Sequence, residues 1–559
     1  MPPEVREHFS EEERELLSRY FTNLDGPVFA LVNLPEVVKG ALFARYSRSA
    51  KSLRRLFIDE FVGDLDVSGD TSLDATVGLR RAEELYERVF SEYGDDSVAQ
   101  LGGVHLACEY SSNLLTKVLE RGRLMSYLEQ STRYVPYDSR LATGHYRYIR
   151  EPDILESPLG ARYVGEMDRM FDTYGALLPV LQEFVSRRSP AAEGVSAFAH
   201  RSAVRATCLD ALRGLLPAGA LSNVGIYGTG QGYEQLILRM RASALPEATR
   251  YAELMLEELR KVIPSFLTRL ERVERGGVWV EYFRRNKEAT HRVVSELFPA
   301  GIPEPGRGVT LTSFDGDGEN RVAAAICFES SNLPEAVLRE KVATLGAEDR
   351  RRLFAAYVGE RRNRRHHPGR AFEATSYRFE VVCDYGAFRD LQRHRLLTIE
   401  WQKLNTDLGF DVPEIIEEAG LTSRYCEQLE RSKALHDALA KYFPEQCAYA
   451  VALAYNVRFS IEMNAREAMH LIELRSGAQG HPSYRQVATD MYRLIRDEAR
   501  HGLIAEAMGH VDFGDKDLGR LEAEQRAEAK KAQRSEATSS SRPSGRPKLR
   551  AVGPDSQKS

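Results

Sequence analysis

The strongest constraint in this sequence is that its long-range plan occurs twice, on either side of the break Pro299-Ala300-Gly301-Ile302-Pro303-Glu304-Pro305-Gly306-Arg307-Gly308. Each copy opens on a strand-like segment, VFALVNL in the first and VAAAICFE in the second. Each passes through a mixed stretch, GGVHLACEY or YRFEVVCDY, and reaches a helix that ends in Arg-x-Arg. Each closes on a long amphipathic helix, RYAELMLEELRKVIPSFLTRL or YRQVATDMYRLIRDEARHGLIAEAM, whose apolar residues recur at the spacing of a core-facing stripe. Self-similarity on this scale predicts a tandem duplication of one helix-rich α+β unit. The expected organisation is a first repeat over 1–298, a Pro/Gly linker over 299–308 and a second repeat over 309–515. Residues 516–559 lose aromatic and branched side chains, cannot bury enough apolar surface to offset chain entropy, and are expected to be disordered.

Composition narrows the function classes. With 77 Lys+Arg against 82 Asp+Glu the chain carries a net charge of −5, which argues against a nucleic-acid coat or a polybasic membrane binder. No stretch approaches the length of apolar sequence that spans a membrane, and the acidic, amphipathic N-terminus is not a signal peptide. Six scattered cysteines with no C-x-x-C pair read as reduced core thiols of a cytoplasmic protein, and no metal site is expected. Asp315-Gly-Asp-Gly-Glu319 lacks calcium-loop spacing and reads as a hairpin turn. The glycine run Gly225–Gly232 lacks the Lys-Ser/Thr of a phosphate loop and reads as a turn or a place of close helix packing. The basic run Arg361–Pro368 reads as a solvated, mobile loop, with a polyanion site as the alternative.

Two clusters carry chemistry. Arg393, His394 and Arg395 end a helix, where paired guanidinium donors and a titratable imidazole suit an anion; a solvated basic turn is the alternative. Downstream, AYNVRFSIEMNAREAMHLIELRSGAQGH reads as one long, partly buried helix that places Arg466 with His470 on one face and Asn464 with Arg475 on another. Embedded among Met463, Met469, Leu471, Ile472 and Leu474, these polar groups need partners: either Glu462, Glu467 or Glu473, or a ligand.

Arg-His-Arg followed by the NAR helix resembles the flavin-dependent thymidylate synthase family, whose hallmark is R-H-R-x7-S. In the first repeat, ERGRLMSYLEQSTRYV, with Ser131 eight places beyond Arg123, and LRGLLPAGAL are similar to the same family. The resemblance covers roughly 30–275 and 310–515. It implies FAD as cofactor, reduced pyridine nucleotide (NADPH) and methylenetetrahydrofolate as co-substrates, and dUMP as the nucleotide methylated to dTMP.

Carried over residue by residue, the resemblance implies a divided site. Glu373, Arg393, His394, Arg395, Asn464, Arg466 and His470 match the flavin side, and Arg475 matches the arginine that meets the nucleotide. Arg393, Arg395 and Arg475 would act on the reacting base. The nucleotide side of the second repeat departs from the pattern: Lys403 replaces the serine, Trp401 and Asn405 replace its flanking Glu and Arg, and Ala448 replaces a phosphate-side arginine. In the first repeat the losses are reversed. Arg121, Arg123, Glu129, Ser131, Arg133 and Arg213 match the nucleotide side, whereas Gly122 replaces the histidine and Gln231 and Gln235 stand at the flavin-side places. Family members are homotetramers with sites between subunits, so the resemblance implies that the repeats form a pseudo-dimer and the chain a homodimer imitating the tetramer. The alternatives are a non-catalytic flavin- or nucleotide-binding protein with a regulatory or scaffolding role, and a flavoenzyme acting on another pyrimidine.

Overall fold

The computed structural model describes residues 8–25, 31–36, 38–39, 42, 51–62, 100, 102–191, 195–298 and 306–514. Residues 28–30 of VFALVNL lie outside these residues, as do most of the 299–308 break and the 516–559 tail expected to be disordered; the described remainder, Leu31–Leu34, makes a single isolated bridge from Leu31 to Phe21 and is not a strand.

Two antiparallel sheets with matching strand order organise the chain. The first contains β1 (Gly103–Ser112), β2 (Ser126–Glu129) and β3 (Leu221–Thr229), in the order β1-β3-β2. The second contains β4 (Gly308–Phe314), β5 (Ser376–Asp384), β6 (Thr398–Trp401) and β7 (Asn456–Asn464), in the order β4-β5-β7-β6. β5, β7 and β6 thus repeat the order of β1, β3 and β2, with β4 added beside β5. In both sheets the first strand of this set runs directly into a helix, Asn113–Leu119 or Tyr385–Leu391, and an Arg-x-Arg follows. The last strand also feeds a helix, Gly230–Arg241 or Ala465–Ser476. Each junction is capped by the side chain of the strand's final residue. Ser112 accepts from the Leu115 N–H, Asp384 from Ala387, Thr229 from Gly232 and Asn464 from Glu467. A short polar side chain with extended backbone satisfies otherwise orphaned N–H groups of the first turn, which stops the strand and starts the helix at one residue.

Several expectations need correction. VAAAICFE is not a strand but part of the helix Gly318–Glu329, where Val322, Ala323, Ala324 and Ile326 face the core. Its alanines favour helix, and a short continuous apolar run does not distinguish the two periods. Asp315–Asp317 joins β4 to this helix and is not a hairpin turn. AYNVRFSIEMNAREAMHLIELR is not one helix. Its first part is β7, paired on both edges, and the helix begins only after the Asn464 cap. The glycine run likewise divides into β3 and the helix Gly230–Arg241. The last helix expected in the second repeat is interrupted: after Pro482–Arg493 and one wide turn, Arg500 takes φ 60° before Gly502–Ala507 resumes.

The two halves share one apolar core, joined along a seam with approximate two-fold character. Segments 214–219 and 449–454 run antiparallel, with Ala218 N–H donating to Val451 O (2.7 Å), Gly219 to Tyr449 O (2.9 Å), Leu453 to Leu216 O (2.9 Å) and Ala454 to Gly214 O (3.0 Å). A side chain at Gly214 would place its Cβ 2.2 Å from the Tyr425 hydroxyl, so this close approach requires glycine. Beside the seam, helix Gly160–Arg188 packs on Thr422–Ala440, with Arg431 donating two hydrogen bonds to Glu166.

Candidate functional site

The Arg-x-Arg segments meet at the seam, each reaching into the other half. Arg121 pairs with Glu400 (2.8 Å) and lies over Trp401, and Arg123 donates to the Thr398 hydroxyl (2.9 Å). Reciprocally, Arg395 donates to Met125 O (2.7 Å) and to the Ser126 hydroxyl (3.1 Å). Between them lies a cavity of about 110 Å³ whose lining includes Gly122, His394 and Arg395.

Behind this contact are four arginines drawn from both halves. Arg133 forms a fork with Asp210 (2.6 and 2.9 Å), donates to the Tyr484 hydroxyl (2.7 Å) and lies over the Tyr484 ring. Arg475 lies over the same ring at 5.5 Å. The buried Asp390 accepts from Arg393 and from Arg213 (3.4 Å), with Arg475 4.0 Å away. Arg213 is only 3% exposed, and among the described residues its Nε and Nη2 have no hydrogen-bond partner. Arg213 also lines an inter-half cavity of about 550 Å³ with Asp384, Tyr425 and His481. Four guanidinium groups therefore face three carboxylates, Asp210, Asp390 and Asp384, the last acting on Arg213. Burial, reinforced by neighbouring arginines, lowers the proton affinity of both Arg393 and Arg475. A surplus of buried positive charge with unfilled donors suits an anion.

His394 links this cluster to the neighbouring helix. It receives a hydrogen bond at Nε2 from Arg475 Nε (3.0 Å), and its Nδ1 lies 3.0 Å from the Glu467 carboxylate. Because the guanidinium can only donate, Nε2 is the acceptor and Nδ1 carries the proton given to Glu467. Burial, Arg475 and Arg393 push the imidazole well below its usual range, so it is neutral. His394, Glu467 and His470 are close enough to hold a metal ion, but both ring nitrogens of His394 are already committed, leaving no lone pair for one.

Outward from His394 runs a half-buried rim. The His470 ring lies between those of His394 (5.4 Å) and His367 (5.2 Å). Arg466 donates to Pro368 O (3.0 Å) and approaches Glu373 at 3.5 Å, and Glu373 also pairs with Arg370. Of the basic run, Arg361 is not a solvated residue. It is buried, forks onto Glu473 and ties the loop to the core.

The residues assigned to the nucleotide are brought to the seam, where the chain itself engages several of them. Glu129 is buried, accepting from Arg389 of the other half (2.5 Å) and from Lys117 (3.3 Å). Burial alone would raise its pKa, but Arg389 and Lys117 outweigh that and hold the carboxyl well below its usual range. The Ser131 hydroxyl accepts from the Arg133 N–H (3.2 Å). Asn464 caps its helix rather than sharing a helix face with Arg475. Lys403 turns away to the Pro444 carbonyl and Glu445.

In the first half the pseudo-equivalent of the rim is filled. A Cβ on Gly228 would meet the Met125 side chain at 2.4 Å and one on Gly232 at 3.2 Å, while one on Gly122 would strike the Tyr127 hydroxyl at 2.5 Å. Met125, 2% exposed, plugs the space. Sequence reasoning missed Asp210, Asp390, Arg389 and Tyr484, and named Glu467 only as one of three candidate partners for the polar groups of its helix. Asp390 and Asp210 each stand three residues before a selected arginine, Arg393 and Arg213, and that helical spacing was the available signal.

Fold and site together define a duplicated α+β protein whose halves share one arginine-rich seam. The chain belongs to the thymidylate synthase complementing protein family, whose profile matches residues 44–265 and again 310–499. It is 39% identical over 528 residues to a UPF0159 protein of Chlamydia muridarum, covering 93% of this chain and 99% of that one. A UPF0159 protein of Chlamydia pneumoniae is 38% identical over 93% of this chain and 98% of its own. One from Thermoplasma acidophilum is 32% identical over 88% and 99%. Coverage of nearly the whole of each relative means that they share the tandem length. Among the described residues no helix is long and apolar enough to cross a membrane.

Proposed function

We propose that the chain is a flavin-dependent thymidylate synthase that methylates dUMP to dTMP, using one composite site at the seam. The observation that carries this reading is the arginine surplus: Arg133 and Arg213 from the first half meet Arg393 and Arg475 from the second around Asp390 and Tyr484. Repeats bounded near 1–298 and 309–515 would each supply half of the site, the first the nucleotide side and the second the flavin side.

The donor set on the rim fits the diphosphate and ring of FAD. Arg466, with Glu373 beside it, and the half-buried His470, close to Arg364, place donor side chains on the rim around the neutral His394. Those residues would hold the flavin, which when bound supplies the hydride that turns the transferred one-carbon unit into a methyl group. The side chains of this protein do the rest. Arg213, with two unfilled donors, binds the nucleotide phosphate. Arg475, aimed by His394 and stacked on Tyr484, stabilises negative charge that develops on the pyrimidine ring. Methylenetetrahydrofolate and NADPH are the co-substrates, and a cytoplasmic homodimer is the working form.

A second reading, a non-catalytic nucleotide- or flavin-binding protein, is favoured by one observation: Glu129 and Arg133 already have their hydrogen bonds met by Arg389, Lys117 and Asp210. Purified protein discriminates between the two. A synthase is yellow, releases tritium from C5-labelled dUMP and rescues a thymidine auxotroph. Well-expressed, flavin-loaded protein that does neither refutes the proposal. Within the divided site, Arg466→Ala should lose flavin while retaining dUMP binding. Arg213→Ala should weaken dUMP binding about tenfold or more while retaining flavin, as expected for a charge-assisted hydrogen bond. Equal effects of each substitution on both ligands would refute the division.

A further inference from the structure

The 20-residue helix Val278–Leu297 lies between the two family-matched segments and has no buried residue. Its N-terminal end meets Val273–Gly277 and the helix Gly230–Arg241, and beyond Glu281 every residue is exposed. A solvated helix of this kind is ordinarily polar, because helices in proteins draw most of their stability from packing an apolar face. This one is not. At 100° per residue, Trp279, Tyr282, Phe283, Asn286, Thr290, Val293, Val294 and Leu297 fall on one stripe, with Glu281, Arg284, Glu288, Arg292 and Ser295 opposite. The six apolar members are 36% to 65% exposed.

We infer that this stripe is a self-association surface, covered by the same helix of a second copy lying antiparallel to it. The reason is the order of side chains along it. The N-terminal half is aromatic (Trp279, Tyr282, Phe283) and the C-terminal half aliphatic (Val293, Val294, Leu297), with Asn286 and Thr290 between. Antiparallel packing about a two-fold axis near Glu288 sets Trp279 against Leu297, Tyr282 against Val294, Phe283 against Val293 and Asn286 against Thr290. Every large side chain then meets a smaller one, and the polar pair fixes the register, whereas parallel packing stacks ring on ring and leaves the aliphatic end thin. The area agrees. With aromatic side chains of about 150–250 Å² each, the exposed stripe amounts to on the order of 600 Å², so two such faces bury about 1,200 Å², the lower bound of a stable specific interface. This surface is independent of the seam and of the proposed chemistry.

The test is solution mass and directed cross-linking of the full chain. Light scattering should give at least twice the 63.0 kDa of one chain, and Trp279→Glu with Val293→Glu should halve that mass without changing the circular dichroism of the fold. Trp279 and Leu297 are about 27 Å apart within one helix and cannot join there. A Trp279→Cys/Leu297→Cys double variant should therefore oxidise to a covalent dimer, while Trp279→Cys alone should not. A monomeric wild-type chain, an oligomer whose mass survives the two glutamates, or cross-linking by Trp279→Cys alone overturns the proposal. A monomer in which this helix is nevertheless protected from hydrogen exchange assigns the stripe to another segment of the chain, and also overturns it.

Discussion

Glu129→Gln isolates the claim that the seam is held by buried charge. Glu129 and Glu120 face Lys117 and Arg389 in a cluster of two carboxylates and two cations, all almost fully buried, that joins β2 and the helix Asn113–Leu119 to the helix Tyr385–Leu391. The amide keeps the shape but removes one negative charge. Lys117 retains Glu120 at 2.6 Å, whereas Arg389 loses the one carboxylate it pairs with among the described residues, leaving a net positive charge out of water. Breaking a buried pair from one side costs about 3–5 kcal/mol. At an unfolding entropy of about 2.1 cal/mol/K per residue, that is roughly 3–5 °C if the described chain melts as one unit and about 7–12 °C if a single repeat does. The assay is calorimetric melting at neutral pH. Adding Arg389→Met to Glu129→Leu removes both charges and leaves Lys117 with Glu120, so the double variant should recover most of the loss, because apolar replacement of a whole buried pair is nearly neutral. A shift below about 1 °C for Glu129→Gln, or a double variant whose loss is the sum of the singles, would refute the argument. Acid should act likewise: a carboxyl held below its usual range stabilises the fold at neutral pH, and that contribution is lost as the pH falls through its folded pKa.

Other expectations follow from single contacts. Gly386 lies in a helix, where alanine ordinarily stabilises, but its Cβ would come within 3.0 Å of Asp384 Oδ1 and 3.1 Å of Arg213 Nε and Nη2. Gly386→Ala should instead destabilise by about 1–3 kcal/mol, and a raised melting point would show that Arg213 is free to move. His394 is neutral when folded but takes a proton in the unfolded chain below its ordinary pKa, so its contribution to stability should decline as the pH falls from about 7 to about 5. His394→Asn should flatten that decline, and an unchanged slope counts against the neutral tautomer. Burial pushes the Cys108 and Cys208 thiols up to about 12, and Cys383 and Cys447 are buried as well, so a thiol reagent at neutral pH should reach only Cys327 and Cys426 in the native protein and all six in denaturant.

The sequence displayed the duplication and both Arg-x-Arg turns, because each is a local pattern: a mixed strand, a cap, a short helix, a basic turn. It concealed the pairing that decides register. β7 looked helical because Asn456–Asn464 is apolar on its core side and runs without a break into a true helix; only the cap at Asn464 separates the periods, and capping residues occur everywhere. VAAAICFE looked extended because a buried strand and a buried helix segment share one composition. At the site, the arginines were visible as motif members, whereas their counter-ions came from other elements. Asp210 serves Arg133, 77 residues away, and Glu129 serves Arg389 across 260. Only folding sets those distances.

Reciprocity at the seam explains why both Arg-x-Arg turns persist although the two halves have diverged around them. Arg121 and Arg123 hold β6 of the second half, and Arg395 holds the start of β2 in the first. Losing any one opens the same contact, so this role keeps the arginines whether or not a ligand touches them. The middle residue has no such duty. Gly122 lies where Tyr127 and Met125 fill the space, and no histidine fits there; His394 lies where Glu467 and Arg475 use both of its nitrogens. Arg121, Arg123 and Arg395 therefore report on the joint between the halves, whereas Arg393, paired with Asp390, and His394 belong to the proposed site. On that reasoning Arg121→Ala should loosen the seam without altering flavin content. His394→Gly should leave the seam intact and release Arg475 from its fixed direction, which would appear as a fall in turnover greater than any loss of dUMP affinity. A variant pair showing the reverse would mean that the seam contact and the site have been assigned to the wrong residues.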